Sequence, residues 1–420
     1  MLKLLFASDS FKGTLTSAKT AELLTRAARE VFADGVICTS VPVADGGEGT
    51  VDAVIEAQQG GRVEVTVHGP LMDPVKAYYG LIPSDQRSGS SNSARDTSEM
   101  MSSETVSTKA VIEMAAASGL TLIPPQKRNP LYTTTYGTGE LIRDALSRGC
   151  RDLSIAIGGS ATNDGGMGCF KALGARFLDS RGSELDGCGK YLEKVSRIDL
   201  SQLDPRLRES RITVMCDVNN PLCGENGATY TFGPQKGAGP EELKRLERGM
   251  QNYRDVIIRQ FGDVSEETVS STDIPGGGAA GGLGAALAVF ADAQMRSGIE
   301  TVLDLVDFDR KLEGTGPIQS GAGPARVDLV ITGEGRTDAQ SSCGKVLQGV
   351  GEHARAKGIP AIALSGSLGD GYEEINKHGI CSVMTCVDRP MPLDEALNRA
   401  EELYYKAALR LFRLIRSSGP

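Results

Sequence analysis

Apolar and polar positions along the chain alternate between two periods. Residues 2–7 are a short apolar run of strand length, and Ser17–Phe32 carries Ala18, Ala21, Leu24, Ala28 and Val31 at helical spacing. A second apolar run, 36–43, precedes the loop ADGGEG and a helical pattern over 48–58. This βαβα order predicts parallel strands covered by helices. Segments 62–67 and 75–81 read as two further strands. From Asp85 to Ser107 the apolar period disappears into a Ser-rich stretch, which predicts a flexible surface insertion.

Beyond it, 110–117 is apolar, 137–148 helical, and 153–157 a strand running into a glycine loop. Segment 212–216 is another strand and 240–260 a long amphipathic helix. Residues 275–291 are mostly Gly and Ala and end at Asp292, which predicts a close-packed buried helix after a glycine loop rather than a membrane span. Strands are predicted at 327–332, 359–364 and 380–385, with helices at 344–357 and 394–417. No fixed-period repeat occurs. The pattern gives an α/β protein of two domains, one discontinuous (1–66 with 287–420) and the other inserted (67–286, carrying the flexible 85–107 segment).

Composition narrows the function classes. A chain of 420 residues has room for two or three domains, and 40% hydrophobic with 24% charged residues excludes wholesale disorder. A net charge of −9 argues against nucleic-acid and anionic-membrane partners. The 52 glycines cluster without period, which excludes collagen and predicts loops that ligands approach closely. Nine cysteines without a CxxC pair, and only three histidines, argue against a disulfide framework and a sulfur–imidazole metal site. With no signal-peptide pattern at the N-terminus, a reducing, cytoplasmic setting is expected. The sequence sets no oligomeric state.

Five loops combine glycine with carboxylates, hydroxyls or cations, most of them after a predicted strand, where open α/β sheets bind ligands. Ser8-Asp9-Ser10-Phe11-Lys12-Gly13-Thr14 offers a lysine for an anion, or else a helix-capping segment. In ADGGEGT, Asp45 and Glu48 suit a Mg2+ ion or a substrate hydroxyl, or a tight strand–helix turn. The loop Gly158-Gly159-Ser160-Ala161-Thr162-Asn163-Asp164-Gly165-Gly166 is the densest, with backbone N–H groups open to phosphate oxygens. GGGAAG (276–281) matches GxGxxG, but polar SSTDIP precedes it instead of a convincing strand. The dinucleotide fingerprint fails there, and a phosphate cradle at Gly277, Gly278 and Gly281 stays open. In Thr332-Gly333-Glu334-Gly335-Arg336-Thr337-Asp338, Arg336 suits a phosphoryl group and Glu334 or Asp338 a metal, or the loop holds a surface ion pair. Together these loops fit phosphoryl transfer, where positioning and electrostatics do most of the catalysis. Neither a Walker A motif nor a protein-kinase HRD or DFG set is present.

The stretches DSFKGTLTS (9–17), PVADGGEGT (42–50), RNPLYTTTYGTGELI (128–142), IGGSATNDGGMG (157–168), CDVNNPLCGENGATYTFGPQKGA (216–238), PGGGAAGGLGAAL (275–287) and VITGEGRTDAQSSCGK (330–345) resemble the bacterial type-1 glycerate kinases, the glycerate 2-kinase family. The resemblance spans essentially the whole chain in family order; segment 85–107 departs from it. It implies ATP-dependent phosphorylation of D-glycerate to 2-phosphoglycerate, with the discontinuous domain Rossmann-like and the inserted one flavodoxin-like. The alternatives are formation of 3-phosphoglycerate and, more remotely, a dinucleotide-dependent oxidoreductase. In the expected site, Lys12 and Arg336 neutralise phosphate, and Mg2+ sits near Glu334 or Asp45. Asp164 accepts the hydroxyl proton, with Asp45 as runner-up. Arg128, Asp9, Ser10 and Thr134 bind substrate, and Gly158, Gly159, Ser160, Gly277, Gly278, Gly281, Gly333 and Gly335 line the ATP site.

Overall fold

A computed structural model of the chain describes residues 1–11, 13–83, 108–261, 274–314, 326–342 and 344–417. The insertion expected at 85–107 and the phosphate cation expected at Lys12 lie outside the described residues. The fold is mixed α/β and divides into two compact units, Met1–Ala57 with Arg296–Pro420, and Gln58–Met295.

In the first unit five strands form one sheet in the spatial order Ile380–Thr385, Ala361–Ser365, Leu329–Gly333, Leu2–Ser8, Val36–Ser40, every neighbouring pair parallel. Leu4 lies opposite Leu329 and Leu2 opposite Val36, so the unit's N-terminal and later segments pair directly in mid-sheet. Leu329–Gly333 is buried along its whole length, as a strand covered on both faces should be. The helices Ser17–Phe32 and Ala400–Ser417 share a core with the sheet, built on Phe6, Leu24, Ala28, Leu364, Leu411 and Phe412. Helix Val346–Ala356 packs against Leu329–Gly333 and Ala361–Ser365.

Counted along the chain, this order is 2-1-3-4-5, the flavodoxin type of doubly wound sheet. The flavodoxin-like order therefore belongs to the discontinuous unit, not to the inserted part as the resemblance implied. A Rossmann order needs a third strand beyond Val36–Ser40, and the next strand in sequence is committed elsewhere. Gly61–His68 turns back on Pro74–Pro83 as an antiparallel hairpin, Gly61 opposite Leu81, and so sits wholly in the second unit. The boundary drawn at 66/67 would cut it.

The second unit's sheet runs Gln294–Arg296, Arg211–Met215, Asp152–Ala156, Thr108–Glu113, Pro74–Pro83, Gly61–His68. Its middle strands are parallel, while the hairpin joins antiparallel at Thr108–Glu113. Helix Pro240–Phe261 buries Leu246, Met250, Tyr253, Val256 and Ile257 at spacings of three and four, one apolar stripe. In the glycine-rich helix Ala279–Ala291, Ala280, Gly281 and Gly282 have left-handed backbone (φ 53°, 66° and 94°), so the regular helix begins only after them. The helix expected over 394–417 is two, Leu393–Asn398 and Ala400–Ser417.

Candidate active site

A 2-1-3-4-5 sheet leaves a crevice beyond the carboxyl ends of its first and third strands, where the chain leaves in opposite directions. In the first unit that place, beyond Ser8 and Gly333, holds a cleft of about 730 Å3, a size typical of small-molecule sites. One part is polar, lined by Asp9, Ser10, Asp45, Glu334, Arg336 and Lys345; the other is apolar, with Phe11, Leu15, Met391, Leu393, Leu397 and Tyr404.

Each polar side chain is placed by local backbone. Asp9 N–H donates to the Gly333 carbonyl at 2.9 Å, tying the first loop to the fifth. The Asp9 carboxylate accepts from Ser10 N–H at 2.7 Å. Asp45 accepts from Gly47 N–H at 3.1 Å, on a turn that needs left-handed backbone at Gly46 (φ 83°). Glu334 is 8% exposed, and its Oε1 accepts from Ser341 Oγ at 2.5 Å and Thr337 Oγ1 at 3.1 Å. Burial pushes the Glu334 carboxyl up in pKa, and those two hydroxyls oppose the shift. Arg336 starts a two-residue strand paired with Ser367–Leu368 and lies 3.5 Å from Asp338. Lys345 precedes helix Val346–Ala356 as its N-cap, with no carboxylate in ion-pair range among the described residues. A free ammonium beside unpaired helix N–H groups favours an anion. Sequence reasoning did not single out Lys345; the available signal was a lysine immediately before an amphipathic helix.

The two glycines of GEG differ. A Cβ on Gly333 would sit 2.1 Å from the Leu364 carbonyl, so strand packing requires that glycine, whereas Gly335 faces the cleft with its nearest neighbour 3.6 Å away. Asp45 and Glu334 are hard oxygen donors suited to Mg2+. Among the described residues, however, no group of three or more His, Cys, Asp or Glu could hold a metal alone. The residues present fit a Mg2+ ion that completes its shell with phosphate oxygens and water.

In the second unit, Asp164 does not have the setting of a proton acceptor. It is 0% exposed. Its Oδ2 accepts from Thr135 N–H and Thr135 Oγ1, both at 2.8 Å, and from Gly168 N–H at 3.2 Å; Oδ1 accepts from Gly166 N–H at 3.2 Å. Burial raises its pKa against the pull of these bonds. The flanking glycines make room for protein, not substrate: a Cβ on Gly165 would meet the Tyr253 ring at 2.6 Å, and one on Gly166 the Ala286 methyl at 2.6 Å. Asp164 instead clamps the start of helix Tyr136–Ser147 to its own loop. Thr134, expected to touch substrate, is 4% exposed and accepts from Tyr136 N–H at 3.2 Å.

The phosphate-cradle glycines of the fourth loop are also used in packing. Added Cβ atoms would lie 2.2 Å from the Pro221 carbonyl at Gly278 and 2.1 Å from the Thr162 carbonyl at Gly281, while at Gly277 the nearest atom is 3.2 Å away. Gly158 and Gly159 are exposed and Ser160 half-exposed beyond the strand Asp152–Ala156. Ser160 meets a residue that sequence reasoning passed over, the buried Lys236. Arg128 is half-buried and donates from Nε to the Ile123 carbonyl at 3.2 Å. Its backbone packs on Gly237, next to Lys236, where a Cβ would lie 2.3 Å from the Arg128 carbonyl. The structure thus gathers Asp9, Ser10, Asp45, Glu334, Gly335 and Arg336 in one cleft, and places Arg128, Ser160 and Asp164 in the other unit.

None of the eight described cysteines is in a disulfide. Among the described residues no helix is long and apolar enough to cross a membrane.

Comparison with known proteins gives a consistent result. The profile of the Glycerate kinase family matches residues 4–416. The chain is 42% identical over 407 residues to the glycerate 2-kinase of Escherichia coli K12, covering 97% of this chain and 96% of that protein. It is 42% identical over 409 residues to the glycerate kinase of Bacillus subtilis 168, covering 97% and 96%. The crystal structure of a candidate glycerate kinase 2 from Salmonella typhimurium LT2 matches with a TM-score of 0.81 at 40% identity, over 99% of each chain.

Proposed function

The chain belongs to the glycerate kinase family and is a kinase; from that premise we propose that it transfers the γ-phosphoryl group of ATP to the 2-hydroxyl of D-glycerate, giving 2-phosphoglycerate and ADP in the cytoplasm. The observation that carries the ATP dependence is the cleft of the first unit. Its apolar wall suits a nucleobase, and its polar end brings Arg336, Lys345, Asp45 and Glu334 together at a sheet switch point. The 2-hydroxyl is supported by the relative named glycerate 2-kinase at 42% identity.

In the transfer, the hydroxyl oxygen bonds to the γ-phosphorus, the bond to the β–γ bridging oxygen breaks, and the hydroxyl proton leaves to a carboxylate. Arg336 and Lys345 offset charge on the phosphoryl oxygens. Asp45 is half-exposed on a glycine turn that lines the cleft, and it takes the proton in place of the enclosed Asp164. With Asp45 as the base, Glu334 would hold Mg2+, which would neutralise phosphate charge when bound. A coupled ADP-release assay with D-glycerate, with the product identified by phosphorus NMR, tests the reading. ADP formed with 2-phosphoglycerate is the expected result. Absence of glycerate-dependent ADP would overturn it, and 3-phosphoglycerate would overturn its regiochemistry.

A further inference from the structure

Three buried hydroxyls behind the cleft of the first unit are used by no step above. Thr337, Ser341 and Ser365 are each 0% exposed, and they stack behind Glu334, a residue of the cleft wall. Ser341 Oγ and Thr337 Oγ1 donate to the same oxygen, Glu334 Oε1, at 2.5 and 3.1 Å. A hydroxyl has one hydrogen to give. Thr337 gives its hydrogen to Glu334, so the 2.7 Å bond between Thr337 Oγ1 and Ser365 Oγ runs the other way, with Ser365 donating. Ser365, Thr337 and Glu334 thus form a directed chain in which each bond polarises the next.

The donors are themselves fixed. Ser341 Oγ accepts from Asp338 N–H at 3.1 Å, and Ser341 N–H donates to the Asp338 carbonyl at 2.9 Å. The Glu334 carbonyl accepts from Gly366 N–H at 3.0 Å, which anchors the backbone below the carboxylate. A carboxylate oxygen has about two lone-pair sites, and two donors fill those of Oε1. Among the described residues no donor reaches Oε2. The carboxylate is therefore held with one oxygen turned into the protein and the other left for the cleft. Held this way it offers a cation one oxygen, not two. Mg2+ demands near-ideal octahedral geometry, whereas Ca2+ accepts bidentate carboxylates in a flexible shell.

We infer that Ser341 and Thr337, backed by Ser365, are positioning residues that act through Glu334: they occupy Oε1 and present Oε2 alone, which selects Mg2+ over Ca2+. This rests on Glu334 holding the Mg2+ of the proposed reaction, so the test reads metal binding without turnover and includes a variant of Glu334 itself.

Full-length wild type, Thr337→Val, Thr337→Ser, Ser341→Ala and Glu334→Gln are titrated with Mn2+ in the presence of ADP and without acceptor acid. Enhanced water-proton relaxation reports Mn2+ on the protein, and displacement by Mg2+ or Ca2+ gives their relative affinities. Loss of an outer-shell partner costs about 10- to 100-fold in metal affinity. Thr337→Val and Ser341→Ala should bind Mg2+ at least about tenfold more weakly, with Ca2+ changed less than about threefold, so the preference for Mg2+ shrinks. Thr337→Ser keeps the hydroxyl and should keep the wild-type preference, which loss of packing alone would not do. Should Ser341→Ala not fold, the two Thr337 variants decide the matter. Affinities for Mg2+ and Ca2+ that are unchanged or equally lowered in Thr337→Val, or a Thr337→Ser protein that behaves like Thr337→Val, overturn the inference. If Glu334→Gln still weakens Mn2+ binding in that case, Glu334 stands as the ligand and only the hydroxyl clamp fails. Mn2+ binding by Glu334→Gln equal to that of wild type overturns the metal reading and the inference with it.

Discussion

Replacing Asp164 with Asn separates a structural clamp from a catalytic base. The amide is isosteric, so its oxygen can occupy the Oδ2 position and keep the Thr135 N–H, Thr135 Oγ1 and Gly168 N–H bonds, now made to a neutral acceptor. Charge-assisted bonds are roughly twice as strong as neutral ones, so about 1 kcal/mol is lost there. The amide nitrogen must then occupy the Oδ1 position, where it faces the Gly166 N–H at 3.2 Å, donor against donor. One buried unsatisfied group costs about 1–3 kcal/mol. Lys236 also loses the nearby negative charge that favours its protonated form. Against these stands relief of the carboxylate's burial, the leading cause of its raised pKa. The losses sum to roughly 2–4 kcal/mol and the relief reduces them, leaving a net destabilisation of roughly 1–3 kcal/mol, which at about 2–4 °C per kcal/mol lowers the unfolding midpoint by roughly 2–12 °C. Scanning calorimetry and urea unfolding measure this, and kcat is taken well below the midpoint, where it should change by less than about tenfold. A midpoint within about 2 °C of wild type together with a kcat lowered about 100-fold would refute the clamp and return the proton-accepting role to Asp164.

Asp45→Asn should lower kcat about 100-fold while leaving the unfolding midpoint within about 2 °C; retained kcat would remove Asp45 from the chemistry. Lys345→Gln should raise the ATP KM at least about tenfold with little change in the glycerate KM, and an equal rise in both would place Lys345 outside the nucleotide site. His353 joins Asp309 through Nδ1 at 2.7 Å and Glu300 through Nε2 at 3.0 Å; burial lowers its pKa, but the two carboxylates outweigh burial and raise it above the usual value. Charged His353 therefore stabilises the first unit below about pH 6.5, and that stability is lost as pH rises through the raised pKa. The midpoint difference between wild type and His353→Gln should be largest near about pH 6 and shrink above about pH 8; a difference that grew with pH would contradict the ion pairing.

Local order was legible wherever one period dominated. The bounds predicted for Ser17–Phe32 and for the strand Ile380–Thr385 are those observed; the helix buries a contiguous stripe, whereas the strand buries only Ile380 and is marked in sequence by its apolar residues after Gly379. Strand order was not legible, since an apolar run does not say which neighbour it pairs with. Segment 62–67 read as one more strand after a βαβα start, and its antiparallel return on Pro74–Pro83 decides which sheet owns it. The break near Arg399 was hidden because helical periodicity continues across it. Glycine clusters misled for a related reason. A glycine that admits a phosphate and one that admits a neighbouring carbonyl look the same in sequence, and Gly278, Gly281 and Gly333 are of the second kind while Gly335 is not.

The charged residues show the same limit from the other side. The glycine density of its motif points to Asp164 as base in sequence, but that density is what lets Tyr253 and Ala286, from two helices, pack against the loop and leave the carboxylate 0% exposed. Lys236 carries no signal of its own in sequence, where a lysine between glutamine and glycine has nothing to mark it as buried. Burial reverses that reading: an ammonium removed from water needs fixed acceptors, and Ser160 Oγ and the Thr162 carbonyl supply them. The acid that looked catalytic and the lysine that looked inert are thus electrostatically linked, since the Asp164 charge raises the Lys236 pKa against burial. One carboxylate fixes the loop, and the cation it favours holds the hydroxyl at the loop's open edge. A substitution that removes the Asp164 charge should therefore lower the Lys236 pKa further and weaken its hold on Ser160 Oγ and the Thr162 carbonyl.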